Sequence, residues 1–181
     1  MPAAPDPSAG PGAPPAEAAE RERLVRWSDP VATFEGAREL SGLEYMQAIV
    51  EGRMAPPPVR ALVGHRAVEV EEGRIVFEAE PGEFQYNPVG TVQGGVAAVM
   101  LDSAMGSAVH TLVPAGGRFA TLEFKVNLVR AMRAGMGTVR IEGRVLHPGG
   151  RIATAEGHIT DAEGRLYAHG VTTCMVERPA A

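Results

Sequence analysis

The chain has 181 residues, which is enough for one domain with a substantial core, and a net charge of -5 from 17 basic and 22 acidic residues. Nothing in the sequence resembles a basic stripe interleaved with aromatic residues, and the single cysteine, Cys174, excludes an internal disulfide framework and a cysteine-rich metal site. The five histidines lack the spacing of metal ligands, so we expect no metal and no cofactor. The first residues lack the pattern of a secretory signal, so we expect a cytoplasmic protein. We expect no nucleic-acid partner.

The N-terminal part divides into a tail and an extension. Residues 1–20 consist mainly of Pro, Ala and Gly, a composition that predicts a disordered tail. Residues 21–58 are predicted to form an N-terminal extension with one short helix, because Ser41 and Glu44 have the spacing of a capping box and precede an apolar run that ends near Gly52. The three prolines at 56–58 predict an extended connection to the main domain, 59–178.

Six strands are predicted in the main domain from the alternation of apolar and polar residues. The first two flank a turn at residues 72–73. The other four are expected at about 121–128, 138–147, 151–160 and 166–176. In the third strand we expect one face to carry Leu122, Phe124, Val126 and Leu128, and the opposite face to carry Thr121.

A long apolar run, residues 96–113, lies between the second and third strands and predicts a helix that is buried on most of its faces. The run contains Asp102, Ser103, Ser107 and His110, so we do not expect it to span a membrane. A carboxylate inside an apolar helix is costly unless it is paired or reaches a solvated site. Asp102 is therefore a candidate functional residue, and a structural acid is the competing interpretation.

Small residues on one face of the last two strands indicate that another element approaches them closely. These faces carry Ala153, Ala155 and Gly157 in one strand and Ala168 and Gly170 in the other. The central helix is the only element long and apolar enough to use this space. The predicted fold is α+β, with a curved antiparallel six-stranded sheet wrapped around one long central helix.

The order of elements and the motif before the helix resemble those of a hotdog-fold acyl-CoA thioesterase of the PaaI-like kind, over residues 60–178. The motif consists of Asn87, Gly90 and then Gln93-Gly94-Gly95, with Asp102 eight residues after Gly94. The family usually has His where this chain has Gln93. Glutamine forms hydrogen bonds but cannot take up a proton, so an acid–base role is not expected at this position.

The resemblance implies hydrolysis of an acyl-CoA thioester, and the residues suggest how. Asp102 is expected to attack the carbonyl carbon or to act as base on a water, and Asn87 to hold that water or the substrate. The N–H of Gly94, at a helix N-terminus, is expected to donate to the oxyanion. The family likeness also implies that Asn87 and Gly94 come from one subunit and Asp102 from another, in a homodimer or a dimer of dimers, and that Thr121 lies near the acid.

Substrate contacts are predicted at Gln93, Gly95, Gly150 and Arg151, with Arg151 as a candidate for a CoA phosphate because a guanidinium suits phosphate geometry. Each position also has a structural interpretation: turn formation for Asn87, helix–sheet packing for Gly94 and Gly95, and a solvated charge for Arg151. Two other functions compete with the thioesterase. One is a hotdog hydratase or dehydratase, and the other is a non-catalytic acyl-CoA binding module.

Overall fold

The computed structural model describes residues 20–179, so the predicted tail at 1–20 lies outside the described residues except for its last residue. The described chain forms one antiparallel sheet of six strands in the order β1-β2-β4-β5-β6-β3, and the chain order of strand, strand, helix and four strands is as predicted. The strands are β1 (His65–Glu71), β2 (Arg74–Ala79), β3 (Arg118–Leu128), β4 (Val139–His147), β5 (Ile152–Thr160) and β6 (Leu166–Glu177). The helices are α1 (Pro30–Gly36), α2 (Gly42–Val50), α3 (Pro58–Val63) and α4 (Gly94–His110), and a 3-10 turn covers Glu83–Gln85.

The central helix is α4, which is 17 residues long. It starts two residues earlier than predicted, at Gly94, and ends at His110, three residues earlier than predicted. Its side chains at Met100, Leu101, Ala104 and Met105 have no exposed surface. Burial on several faces explains why the run is apolar nearly all round. Within residues 20–179, no helix has the length and hydropathy needed to cross a lipid bilayer.

A row of three glycines crosses the sheet beneath α4, one in each of three neighbouring strands. Gly143 of β4 pairs with Gly157 of β5, which pairs with Gly170 of β6. A Cβ on Gly143 would lie on top of the backbone of Ala104, and a Cβ on Gly157 would lie 2.9 Å from Cγ of Met105. The predicted close approach of helix and sheet is therefore present, and it depends on the missing side chains of this row.

The extension is more helical than predicted. The capping box of Ser41 and Glu44 is present at the start of α2, as expected. However, α1 and α3 were not predicted, and α3 covers residues assigned to an extended connection and to the start of the strand pattern. The reason is that Pro58 is in the first turn of α3, where a proline removes no helical hydrogen bond and its fixed φ suits the helix.

Strand β3 contains an irregularity that changes which residues face α4. Its pairing with β6 shifts register between Thr121 and Glu123, which leaves Leu122 as an extra residue. Residues directly opposite each other share a face of the sheet, and Thr121, Phe124 and Leu128 are opposite inward-facing residues of β6. The expectation that Thr121 and Phe124 lie on opposite faces is therefore wrong. The alternation rule cannot detect a bulge.

Candidate active site

Two of the predicted site residues are in contact. The hydroxyl of Thr121 on β3 donates a hydrogen bond of 3.1 Å to Oδ1 of Asp102 on α4. Both residues are half-buried. Among residues 20–179, Oδ1 has this partner and Oδ2 has none, so the second oxygen is available to a water or a substrate.

A buried thiol lies behind this pair. The sulfur of Cys174 is 4.0 Å from the hydroxyl of Thr121 and also 4.0 Å from that of Thr172. Burial raises the pKa of Cys174, whose ordinary value is already above neutral pH. Cys174 therefore remains a thiol at neutral pH and does not compete with Asp102 as the reactive group.

Most of the hydrogen-bonding capacity of the Asn87 side-chain amide is used within its own turn. Its Oδ1 accepts hydrogen bonds from the N–H groups of Val89 and Thr91, and its Nδ2 donates to the hydroxyl of Thr91 at 2.9 Å. This is the turn chemistry considered as an alternative. A carboxamide nitrogen has two N–H groups, so one N–H of Asn87 is left for another partner.

The start of α4 leaves backbone N–H groups without a partner in the helix. Gly94 and Gly95 are the first residues of the helix after the cap at Gln93, and no helical carbonyl is available to their N–H groups. Apart from its chain neighbours and the nearby helix backbone, no described atom lies within 4 Å of the position that a Cβ on Gly95 would occupy, so packing against other elements does not explain this glycine. On Gly94 a Cβ would meet a terminal carbon of Leu128 at 2.7 Å, so packing contributes there. The side chain of Gln93 is exposed.

Asn87 and Gly94 line the same pocket, which has a volume of about 260 Å³ and is also lined by Leu128, Met132 and Tyr167. Asp102 is not among its lining residues. Gly94 and Asp102 are eight residues apart in one helix, which corresponds to about 12 Å along the axis. Within one chain, these two groups are too far apart to act on the same carbonyl.

The predicted phosphate contact lies at the end of the sheet. Gly150 and Arg151 belong to the turn between β4 and β5, and both are exposed. The carbonyl of Gly150 accepts a hydrogen bond of 2.6 Å from Arg178. Two residues further on, Ala153 pairs with Cys174, which also pairs with Thr121. Arg151 is therefore at the same end of the sheet as Thr121, with β6 between their strands.

Comparisons with known proteins bear on the family. A family model described as "Thioesterase superfamily" matches residues 89–168, which include Gly94, Asp102 and Thr121. A protein of Saccharolobus solfataricus named "Putative esterase" is 30% identical over 113 residues, which are 62% of this chain and 79% of the relative. The chain belongs to the thioesterase superfamily. The predicted family and the prediction of a thioester hydrolase are thereby confirmed.

Solved structures support the fold of this thioesterase. A "putative thioesterase, phenylacetic acid degradation-related protein" from Ralstonia eutropha JMP134 is 26% identical, with a TM-score of 0.66 over 72% of this chain and 98% of that one. A Streptococcus mutans UA159 protein solved with bound acetyl CoA is 22% identical, with a TM-score of 0.58 over 64% and 92% of the two chains. The predicted hotdog fold is confirmed.

No group of three or more His, Cys, Asp or Glu side chains in residues 20–179 of the thioesterase has the arrangement of a metal site.

The sequence interpretation missed one polar cluster of the thioesterase. Arg60 and His65 are both buried, with 4% of their surface exposed, at the junction of α3 and β1. A signal was present in the sequence, because Arg60 interrupts the apolar run from Pro58 to Val63. Isolated arginines in a short run are usually solvated, and no local pattern distinguishes the buried case.

Proposed function

We propose that this chain is an acyl-CoA thioesterase whose active site combines Asp102 of one subunit with Asn87 and Gly94 of another. The observation that carries the proposal is the half-buried carboxylate of Asp102, fixed by Thr121 through one oxygen, about 12 Å along the helix from the N–H of Gly94. A second copy of the chain would supply the group that is too distant in the first.

The surface around these residues supports an assembly of two copies. β3 is an edge strand of the sheet and pairs only with β6 among the described strands. On its inner face, Phe124 is 43% exposed and Leu128 is 59% exposed, and Leu128 is next to Gly94. An unpaired edge with exposed apolar side chains favours association with another chain. A homodimer, or a dimer of dimers, would cover this surface.

In the proposed reaction, Asp102 acts as a general base. Its free Oδ2 takes a proton from a water, and the oxygen of that water forms a bond to the thioester carbonyl carbon. The N–H of Gly94 donates to the resulting oxyanion, and the remaining N–H of Asn87 holds the water or the substrate. The C–S bond then breaks, and the thiolate takes the proton from Asp102, giving the free acid and CoA.

Three further features support an acyl-CoA as the substrate. The absence of a side chain at Gly95 leaves space beside the start of the helix, as a thioester approaching the backbone requires. The exposed side chains of Gln93 and Arg151 are proposed to contact the substrate, Arg151 and Gly150 through a CoA phosphate. The fold also accommodates such a ligand, since the Streptococcus mutans protein binds acetyl CoA.

The single cysteine supports a cytoplasmic location.

The function is tested by supplying acyl-CoAs of increasing chain length and an aryl-CoA, with free CoA measured by a thiol reagent. We expect at least one substrate to give continuous, enzyme-dependent release of CoA. A hydratase or dehydratase would change the acyl group without releasing CoA. A binding module would show saturation without turnover. Either result across the panel would contradict the proposal.

The shared site predicts complementation between two inactive variants. Asp102→Asn and Gly94→Pro are co-expressed with different tags, and the mixed dimers are isolated through both tags. One site of a mixed dimer then has an intact Asp102 and an intact Gly94, so we expect roughly half of the wild-type activity per dimer. A site contained within one chain would leave the mixed dimers as inactive as either parent, and this outcome would refute the shared site.

A further inference from the structure

A second and larger cavity lies on the other side of the molecule, between the N-terminal extension and the β1–β2 edge of the sheet. Its volume is about 560 Å³. The lining is partly apolar, with two buried polar residues: Ile49, Pro56, Arg60, His65, Ala79 and Phe84. The proposed thioesterase reaction uses none of these residues.

The guanidinium of Arg60 is buried in this region without a negatively charged partner. Its Nη2 is 3.5 Å from the hydroxyl of Ser107 and 4.0 Å from the sulfur of Met46, and its Cζ lies 4.5 Å from the ring centre of Phe77. Its Nη1 has no hydrogen-bond partner within residues 20–179. Burial lowers the pKa of Arg60 to about 10, so the side chain is still charged at neutral pH. A buried, charged donor without a partner is costly, and this favours a ligand that supplies one.

His65 adds donor and acceptor capacity but no compensating charge. Neither ring nitrogen has a hydrogen-bond partner among the described residues, although only 4% of the surface of His65 is exposed. Burial and the charge of Arg60 lower the pKa of His65 to about 4, so the ring is neutral at neutral pH. The acidic residues that line the cavity are Glu78, which pairs with Arg66 at 2.6 Å, and the exposed Glu80. Neither forms an ion pair with Arg60.

We propose that this cavity binds an organic carboxylate, with the carboxylate on Arg60 and a small apolar body against the cavity wall. A carboxylate supplies the single negative charge that the site lacks, and its two oxygens match the fork of a guanidinium. The neutral ring of His65, which also lines the cavity, adds no charge that would repel or replace the carboxylate. The apolar part of the lining favours a ligand with a hydrocarbon body over a small inorganic anion.

The site is separate from the thioester site. Ser107, which contacts Arg60, follows Asp102 by five residues on α4, a rotation of about 140° about the helix axis. Asp102 contacts β3, at one edge of the sheet, whereas the cavity is lined by residues of β1 and β2 at the other edge. The proposal therefore does not depend on the thioesterase mechanism.

Calorimetric titration of the full chain with sodium hexanoate at pH 7.5 tests the proposal. We expect saturable binding of hexanoate, and no binding of hexan-1-ol, which has the same body without the charge. Arg60→Met keeps the length of the side chain and removes the charge, and we expect it to weaken hexanoate binding by about 10-fold to 100-fold. Arg38→Met is the control, because it makes the same change at an exposed arginine that pairs with Glu35 at 3.0 Å and does not line the cavity, and it should bind like the wild type.

The melting temperature shows whether each variant is folded. Replacing an unpaired buried charge by an apolar side chain is not expected to lower it. If Arg60→Met does not fold, Arg60→Lys replaces it, and weakened binding is again the expected result because the lysine lacks the guanidinium fork. Equal hexanoate affinity in the wild type and the folded Arg60 variant would overturn the proposal. Absence of hexanoate binding to the wild type, or equal binding of hexan-1-ol, would do so as well.

Discussion

Asp102→Asn is expected to reduce turnover by ~100-fold or more while the protein remains folded. The amide has the size of the carboxylate and can still accept the hydrogen bond from Thr121, so the packing of α4 is preserved. What it loses is the ability to take a proton from the attacking water. The measurement is the rate of CoA release per folded molecule, with the folded fraction taken from thermal melting of both proteins.

Thr121→Val is the companion variant, since it removes the hydroxyl that holds Oδ1 and keeps the carboxylate. We expect Thr121→Val to lose less activity than Asp102→Asn, because its base is less well oriented but still present. If Asp102 has only a structural role, the melting temperature of Asp102→Asn falls and the folded molecules hydrolyse substrate at nearly the normal rate. That result would exclude the mechanism proposed above.

Gly94→Pro is expected to lower the turnover number by about 100-fold to 1000-fold, the usual effect of losing one donor to an oxyanion. Proline removes the N–H of Gly94 and is compatible with the helix, because it is tolerated at the first position of a helix. The preceding residue, Gln93, has φ of -59° and ψ of 134°, which is the conformation that a following proline favours. Steady-state kinetics and melting would be measured together.

Gly94→Ala is the matched control for this variant. It adds the same Cβ, which meets the terminal carbon of Leu128 at 2.7 Å in both variants, but it keeps the N–H. We expect Gly94→Ala to retain most of the turnover, because the end of an exposed leucine can move. Equal losses in the two variants would assign the effect to crowding and would remove Gly94 from the proposed oxyanion site.

The sheet and α4 could be predicted because their signals are local. A 17-residue apolar helix and strands with a buried face leave regular periods in the sequence. The helices α1 and α3 have 7 and 6 residues and are too short for a clear period, although a proline at the start of each is a usable signal. The bulge at Leu122 leaves no such signal, since it depends on the pairing of β3 with β6.

The candidate site could be predicted only in part, because contacts between residues that are distant in the chain leave no local signal. The motif from Asn87 to Asp102 is continuous in the chain and could be recognised as a unit. The contact of Asp102 with Thr121 spans 19 residues and was expected from the family likeness, not from any period. The contact of Arg60 with Ser107 spans 47 residues, and no sequence pattern connects them. Only the fold reveals that Arg60 is buried.

The glycine row of Gly143, Gly157 and Gly170 has a consequence for how this enzyme can evolve. These residues carry no chemistry, yet Gly143 and Gly157 fix the height of α4 at Ala104 and Met105, within one turn of Asp102. Any side chain at Gly143 must displace helix backbone, and a displacement of 1 Å at a reacting group is enough to cost about 100-fold in rate. A substitution at an exposed position such as Arg151 has little structural cost, whereas this buried row is as constrained by packing as Asp102 is by the reaction proposed for it.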